Sequence, residues 1–239
     1  MHPSWDLSTQ AMKQQGTIMG MEHTLSTAGG NFVKGVSILG NDYGTAKGGS
    51  PKALAATYRV CWPPTFVGKC FMADIVAGFE ATISDGVDVL SVSLGGKDQE
   101  FSDDLVAILS FHAAKNNITV VCSAENSGPS KGKVSNAAPW MIIVGASTID
   151  RLFTTYVTLG DKRHFKGESL SSKILPAKKF CPLIGAFDAK FNNVSDNLAS
   201  VMIYMTRVKI ELGIKPAPIM ASFSSRGPSI VEPSKLKVG

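Results

Sequence analysis

The sequence predicts an α/β fold built on a parallel sheet with helices on both faces, and two observations carry that reading. Between residues 53 and 146, short apolar runs alternate with segments whose apolar residues recur at helical spacing. The runs are apolar throughout rather than on alternate residues, as strands covered on both faces are. Composition agrees. The 239 residues are 44% apolar and 18% charged, with 23 glycines and 12 prolines, which suits a globular, turn-rich chain rather than a coiled coil or a disordered tail.

Taken in order, Ala53–Val60, with Tyr58, reads as a first strand. From Phe71 to Ser84 the apolar residues Ile75, Val76, Phe79 and Ile83 mark one face of a helix, which Asp85-Gly86 should end. Val87–Ser93 is a β-branched strand. Asp103–Lys115 repeats the helical pattern, with Leu105, Val106, Leu109, His112 and Ala113 expected inward. Ile118–Ala124 and Trp140–Ala146 are two more buried strands. Beyond Ile149 the pattern changes: Phe153–Leu159 alternates, Gly160-Asp161-Lys162 turns and His164–Gly167 returns, which predicts a hairpin. Ser169–Ser200 keeps no period and reads as a connection or a damaged module. In parallel sheets, chemistry gathers at the carboxyl ends of strands, here Ser91–Gly96 and Cys122–Pro129.

The formal charge is +5 and the pI about 9.0, but the lysines and arginines are scattered, so a solvated basic surface is expected rather than nucleic-acid binding. No apolar run reaches the roughly 18 residues that span a bilayer. The opening MHPSWDLSTQ has neither a basic start nor a hydrophobic stretch, so no export signal is visible. Cys61, Cys70, Cys122 and Cys181 follow no zinc-ligand spacing and no histidine pair accompanies them, so neither a metal nor another cofactor is expected. Asn117 and Asn193 head two N-glycosylation sequons. Gly128-Pro-Ser-Lys-Gly132-Lys133 resembles a phosphate-binding loop, but its glycines are one residue too close, and Val134 stands where a Ser or Thr must reach magnesium.

Five segments in order carry a stronger resemblance: HTLSTAGG at His23–Gly30, GTAKGGSPKA at Gly44–Ala53, DGVDVLSVSLGG at Asp85–Gly96, SAENSGP at Ser123–Pro129 and SFSSRGP at Ser222–Pro228. Together they resemble the plant-type subtilisin-like serine proteases, the subtilases. The resemblance implies a subtilisin-like parallel sheet, here incomplete, missing a first strand segment and the C-terminal helices. It implies an extracellular origin in the apoplast and peptide-bond hydrolysis by a Ser-His-Asp triad.

Each triad member can be sought in turn. The family's histidine stretch, Gly-His-Gly-Thr-His-Thr, reads here Met19-Gly20-Met21-Glu22-His23-Thr24, so the catalytic position falls on Gly20 and the second, structural histidine is His23. His23 lies three residues along the following helix, out of reach of the missing base's task. No Asp-Thr/Ser-Gly turn precedes it, and Asp6 lies too near. The nucleophile's Gly-Thr-Ser-Met segment follows SFSSRGP in the family, and no serine here occupies that context. The polypeptide is therefore expected to be inactive.

What the resemblance leaves is the substrate side of the site. Asn126 matches the oxyanion-stabilising amide. Ser93, Leu94, Gly95 and Gly96 match the edge that pairs with an extended peptide, and Ser123, Ala124 and Glu125 match a pocket wall, with glutamate where the family has glycine. A Cys61–Cys70 disulfide is implied. An inserted protease-associated domain, usual between the positions of Asn193 and Tyr204, is missing, so the chain divides into a partial catalytic domain over 1–175, a remnant connector over 176–203 and resumed catalytic domain over 204–239. Two readings follow: a serine endopeptidase, or a non-catalytic product, either a peptide-binding fragment or a decayed remnant.

Overall fold

A computed structural model describes residues 21–38, 40–62, 70–96, 99–171, 179–183 and 202–233. The chain forms two compact units that interleave along the sequence. One comprises Met1–Gly30, Gly48–Ile149 and Pro218–Gly239, the other Asn31–Lys47 and Asp150–Ala217.

In the first unit, helix α1 (Met21–Gly29) is followed by α2 (Met72–Asp85), strand β3 (Val89–Val92), α3 (Leu105–Lys115), β4 (Thr119–Ser123) and β5 (Ile142–Val144). Strands β3, β4 and β5 lie side by side and parallel, Val92 beside Cys122 and Cys122 beside Ile143. This is the predicted α/β arrangement. Helix α2 ends as Asp85-Gly86 required: Gly86 takes the left-handed conformation at φ 67°, which glycine adopts without strain, and its N–H returns to the Ile83 carbonyl. Helix α3 begins where the Asp104 carboxylate accepts from the N–H groups of Val106 and Ala107, satisfying two donors that the first turn leaves open.

Ile75 and Phe79 of α2 and Val106, Ala107 and Ala113 of α3 bury against Val92, Val120 and Cys122. Leu90 packs against the same cluster. Both helices therefore cover one face of the sheet, while on the opposite face Val89, Ile142 and Val144 remain 59%, 52% and 52% exposed.

Two expectations are corrected. His112 is exposed, and the buried positions of α3 include Ala107 and Ser110. The helix is rotated so that small residues meet the sheet closely, while Trp140 caps the flank, donating its indole N–H to the Ala107 carbonyl at 2.9 Å and meeting Phe111 edge-on at 5.2 Å. Ala53–Val60 forms no strand. A β pattern becomes a strand only when a neighbour supplies ladder hydrogen bonds, and none lies beside this segment among the described residues. Leu54 is 93% exposed, and the later side chains serve α2 instead. Val60 packs on Gly78, and the Tyr58 hydroxyl donates to Asp85 at 2.7 Å.

The second unit holds an antiparallel hairpin, β1 (Val33–Ile38) with β2 (Asn41–Ala46), and a five-stranded sheet. In that sheet β6 (Arg151–Leu159) pairs antiparallel with β7 (His164–Glu168), the hairpin expected from the alternation, and also with β9 (Met202–Met205) and β10 (Lys209–Leu212). The short β8 (Cys181–Pro182) pairs with β9.

Candidate functional site

The site lies within the first unit, where β3 and β4 release their chains. Parallel neighbours bring the segments after them side by side, so the register that sets Val92 against Cys122 also sets Ser93–Gly96 beside Ser123–Glu125. Ser93, Gly95 and Gly96 are exposed, Leu94 is half-buried, and Ala124 is buried with its N–H on the Val144 carbonyl at 2.9 Å.

Asn136, a residue sequence reasoning passed over, ties the two segments together. It is buried at φ 58°, and its side-chain amide donates to the Leu94 carbonyl and to the Ser123 carbonyl, each at 2.9 Å. An asparagine suits this place twice over, since its amide has two N–H donors and its side chain tolerates the left-handed region better than most.

Glu125 has φ 71°, the conformation that favours glycine. Its carbonyl accepts from the Ser225 N–H at 2.9 Å. Its side chain turns back toward β3, lies directly over Gly95 where any β-carbon would collide with it, and accepts a hydrogen bond from the Ser123 hydroxyl at 2.6 Å. The carboxylate thus stands between Gly95 and Ser123.

Asn126 follows at the mouth, exposed. The loop that carries it is held from below by the late segment Ser222–Pro228. The Ser225 hydroxyl accepts from the Ser127 N–H at 2.9 Å, the Phe223 carbonyl accepts from Gly128, and the Ser224 hydroxyl accepts from Ala146 at 3.0 Å. Gly128 packs so closely on the Ser224 carbonyl that no side chain fits there. Ser224 and Ser225 are buried, and a run of small hydroxyl residues was the one signal that could have marked them.

Burial first, then the negative charges of Asp104 and Glu125, push the Cys122 thiol beneath the site up to about 12. Cys61 and Cys70 are joined as a disulfide, with Cα atoms 4.2 Å apart. Trp62 beside it donates to Asp74 at 2.8 Å and carries the Arg59 guanidinium over its ring at 4.7 Å. Asn117 is exposed just past α3 at φ 63°. Gly20 and Asn193 fall outside the described residues. His23 lies on α1.

The subtilase family model matches residues 16–238. This chain belongs to the subtilase family. It is similar to subtilisin-like protease SBT5.3 of Arabidopsis thaliana, 43% identical over 297 aligned positions that cover 90% of this chain and 38% of that protein. It is also similar to subtilisin-like protease SBT5.4 of the same plant, 57% identical, over 74% of this chain and 23% of the relative, and to a CO(2)-response secreted protease, 42% identical, over 74% and 23%. This subtilase chain therefore spans about a quarter to two-fifths of the length of those relatives. The first alignment is longer than the whole 239-residue chain, so SBT5.3 carries residues inside the matched span that this chain lacks.

Proposed function

We propose that this polypeptide is part of the catalytic domain of a secreted serine endopeptidase, and that these 239 residues by themselves hold an extended peptide without cleaving it. One observation supports the reading: the Asn136 amide donates to the Leu94 and Ser123 carbonyls at 2.9 Å, which ties the segment proposed to pair with a peptide to the segment proposed as its pocket wall. Ser93–Gly96 would exchange ladder hydrogen bonds with the peptide, its glycines letting the backbones approach. Asn126 would aim its amide at the carbonyl oxygen of the bound peptide, the position at which an intact subtilase stabilises developing charge.

Hydrolysis needs more than that amide. Gly20 occupies the general base's place, and neither the family's aspartate turn nor its nucleophile segment is found among these residues. Without an activated hydroxyl there is no covalent step for an oxyanion donor to assist. The extracellular placement draws on the relative whose name describes it as secreted and on the sequons at Asn117 and Asn193.

The test pairs two measurements on the purified chain. A fluorophosphonate probe should label no serine and peptide substrates should stay uncut, while a fluorescent extended peptide should bind, and bind more weakly when the amides that face the edge are N-methylated. Stoichiometric probe labelling or measurable turnover would overturn the non-catalytic half of the proposal. Absence of binding, or equal binding of the N-methylated peptide, would overturn the peptide-pairing half.

A further inference from the structure

We infer that Glu125 makes this cleft selective for a cationic side chain, that of arginine or lysine, on the extended peptide. The inference rests on the peptide-pairing reading above and adds the chemistry of the ligand. Three features of the residue support it.

The first is position. With its carbonyl bound by the Ser225 N–H at 2.9 Å and φ at 71°, the Glu125 backbone directs the side chain toward the edge segment rather than out to solvent. The bare backbone of Gly95 is what admits it there, its carboxylate oxygen falling 2.8 Å from where a β-carbon on residue 95 would sit. A peptide side chain entering between Ser93–Gly96 and Ser123–Glu125 meets this carboxylate.

The second is an unmet charge. The residue is half-buried, and among the described residues its side chain accepts one hydrogen bond, from the neutral Ser123 hydroxyl, and no lysine or arginine pairs with it. A partly desolvated carboxylate with a single neutral donor gains from a cation that supplies further N–H groups, and arginine's planar fork can serve the carboxylate while Ser123 keeps its bond.

The third is exclusion. An apolar side chain in the same place would strip water from the carboxylate and return nothing for it, and it would compete with the glutamate for volume that glycine leaves open in the family. Charge and bulk therefore select in the same direction.

The experiment uses fluorescent peptides identical except at one residue, which is arginine, its uncharged isostere citrulline, or leucine. Binding is measured by anisotropy to the 239-residue chain and to its Glu125→Gln and Glu125→Gly variants. The arginine peptide should bind at least about tenfold more tightly than the citrulline peptide, the difference a charge-assisted pair makes in a partly shielded site. Glu125→Gln should abolish that ratio, and Glu125→Gly should raise affinity for leucine. Equal affinity for arginine and citrulline, or a ratio that survives Glu125→Gln, overturns the inference. A second arm is independent of peptide binding by this chain: glutamate is placed at the matching position of an active subtilase that carries glycine there, and kcat/KM is measured on the same series. Leucine substrates should lose far more than arginine substrates. A uniform change across the series would overturn the inference, even where failure of the chain to bind any peptide had already removed the peptide-pairing reading.

Discussion

The Asn136 amide donates to the Leu94 carbonyl across 42 residues of sequence, at 2.9 Å, and in doing so ties together the chain segments that leave two parallel strands. Because the same nitrogen also serves Ser123, removing it strands two carbonyls at a partly buried place. Asn136→Ala should cost about 2–3 kcal/mol in urea unfolding, since each unsatisfied group carries a desolvation penalty and alanine fits φ 58° less well. Asn136→Asp should lose as much, because an ionised carboxylate cannot donate to either carbonyl. A loss under about 0.5 kcal/mol in both variants, the range of ordinary surface changes, would show that the clamp does not hold.

Backbone strain at Glu125 can be separated from side-chain chemistry by comparing two truncations. Both Glu125→Ala and Glu125→Gly delete the hydrogen bond to Ser123, but only glycine is at ease at φ 71°. The glycine variant should be the more stable of the two by about 1 kcal/mol, read from the shift in denaturation midpoint at constant slope. Alanine equal to glycine would mean that the backbone relaxes out of the left-handed region in solution.

The Cys61–Cys70 disulfide closes a loop of nine-residue separation. Chain-entropy arguments give such a closure about 2–3 kcal/mol of stabilisation, so oxidised protein should unfold at higher urea than protein kept in reductant. Peptide mapping of the oxidised chain should recover Cys61 bonded to Cys70. Recovery of Cys61 with Cys122 or Cys181 would refute the pairing.

Cys122 and Cys181 should differ sharply as free thiols. Cys122 is buried and its thiol is pushed up to about 12, so at pH 8 it carries almost no thiolate, whereas Cys181 is only half-buried. A disulfide-exchange reagent should titrate one thiol in the native chain and a second only after unfolding. The linkage has a definite sign: with the folded value above the ordinary 9.0, the stability this group contributes is complete below pH 9 and is lost as pH climbs toward 12. Cys122→Ala should flatten that alkaline decline. Rapid labelling of both thiols at pH 8 would contradict the burial.

How much was legible in the sequence depended on how local the determining physics was. Helix α2 could be read to within a residue because its apolar spacing and Asp85-Gly86 stop lie within one stretch of chain. The parallel sheet and the adjacency of Ser93–Gly96 to Ser123–Glu125 followed from runs of apolar residues and the rule for strand ends. Ala53–Val60 misled because strand formation depends on a neighbour that its own residues do not supply. His112 misled because the phase of α3 is set by how closely Ala107 and Ser110 approach the sheet, a packing property that apolar periodicity alone does not rank. In the site, Glu125 stood out as a departure from glycine, and its direction over Gly95 became visible only with φ. Asn136 and Ser225 act across 42 and 98 residues, and nothing in their immediate neighbours announces a partner at that distance.

The Ser127–Ser225 hydrogen bond spans 98 residues, so the loop that carries Asn126 is fastened like a clasp whose two halves are made at different times. During synthesis the SAENSGP loop leaves the ribosome long before SFSSRGP does. Until the second half arrives, Asn126 has its motif but not its aim. A proteolytic cut or alternative splice that separated the halves would leave the first motif readable in the sequence and its anchorage gone, so presence of the motif alone is a poor marker of an anchored loop.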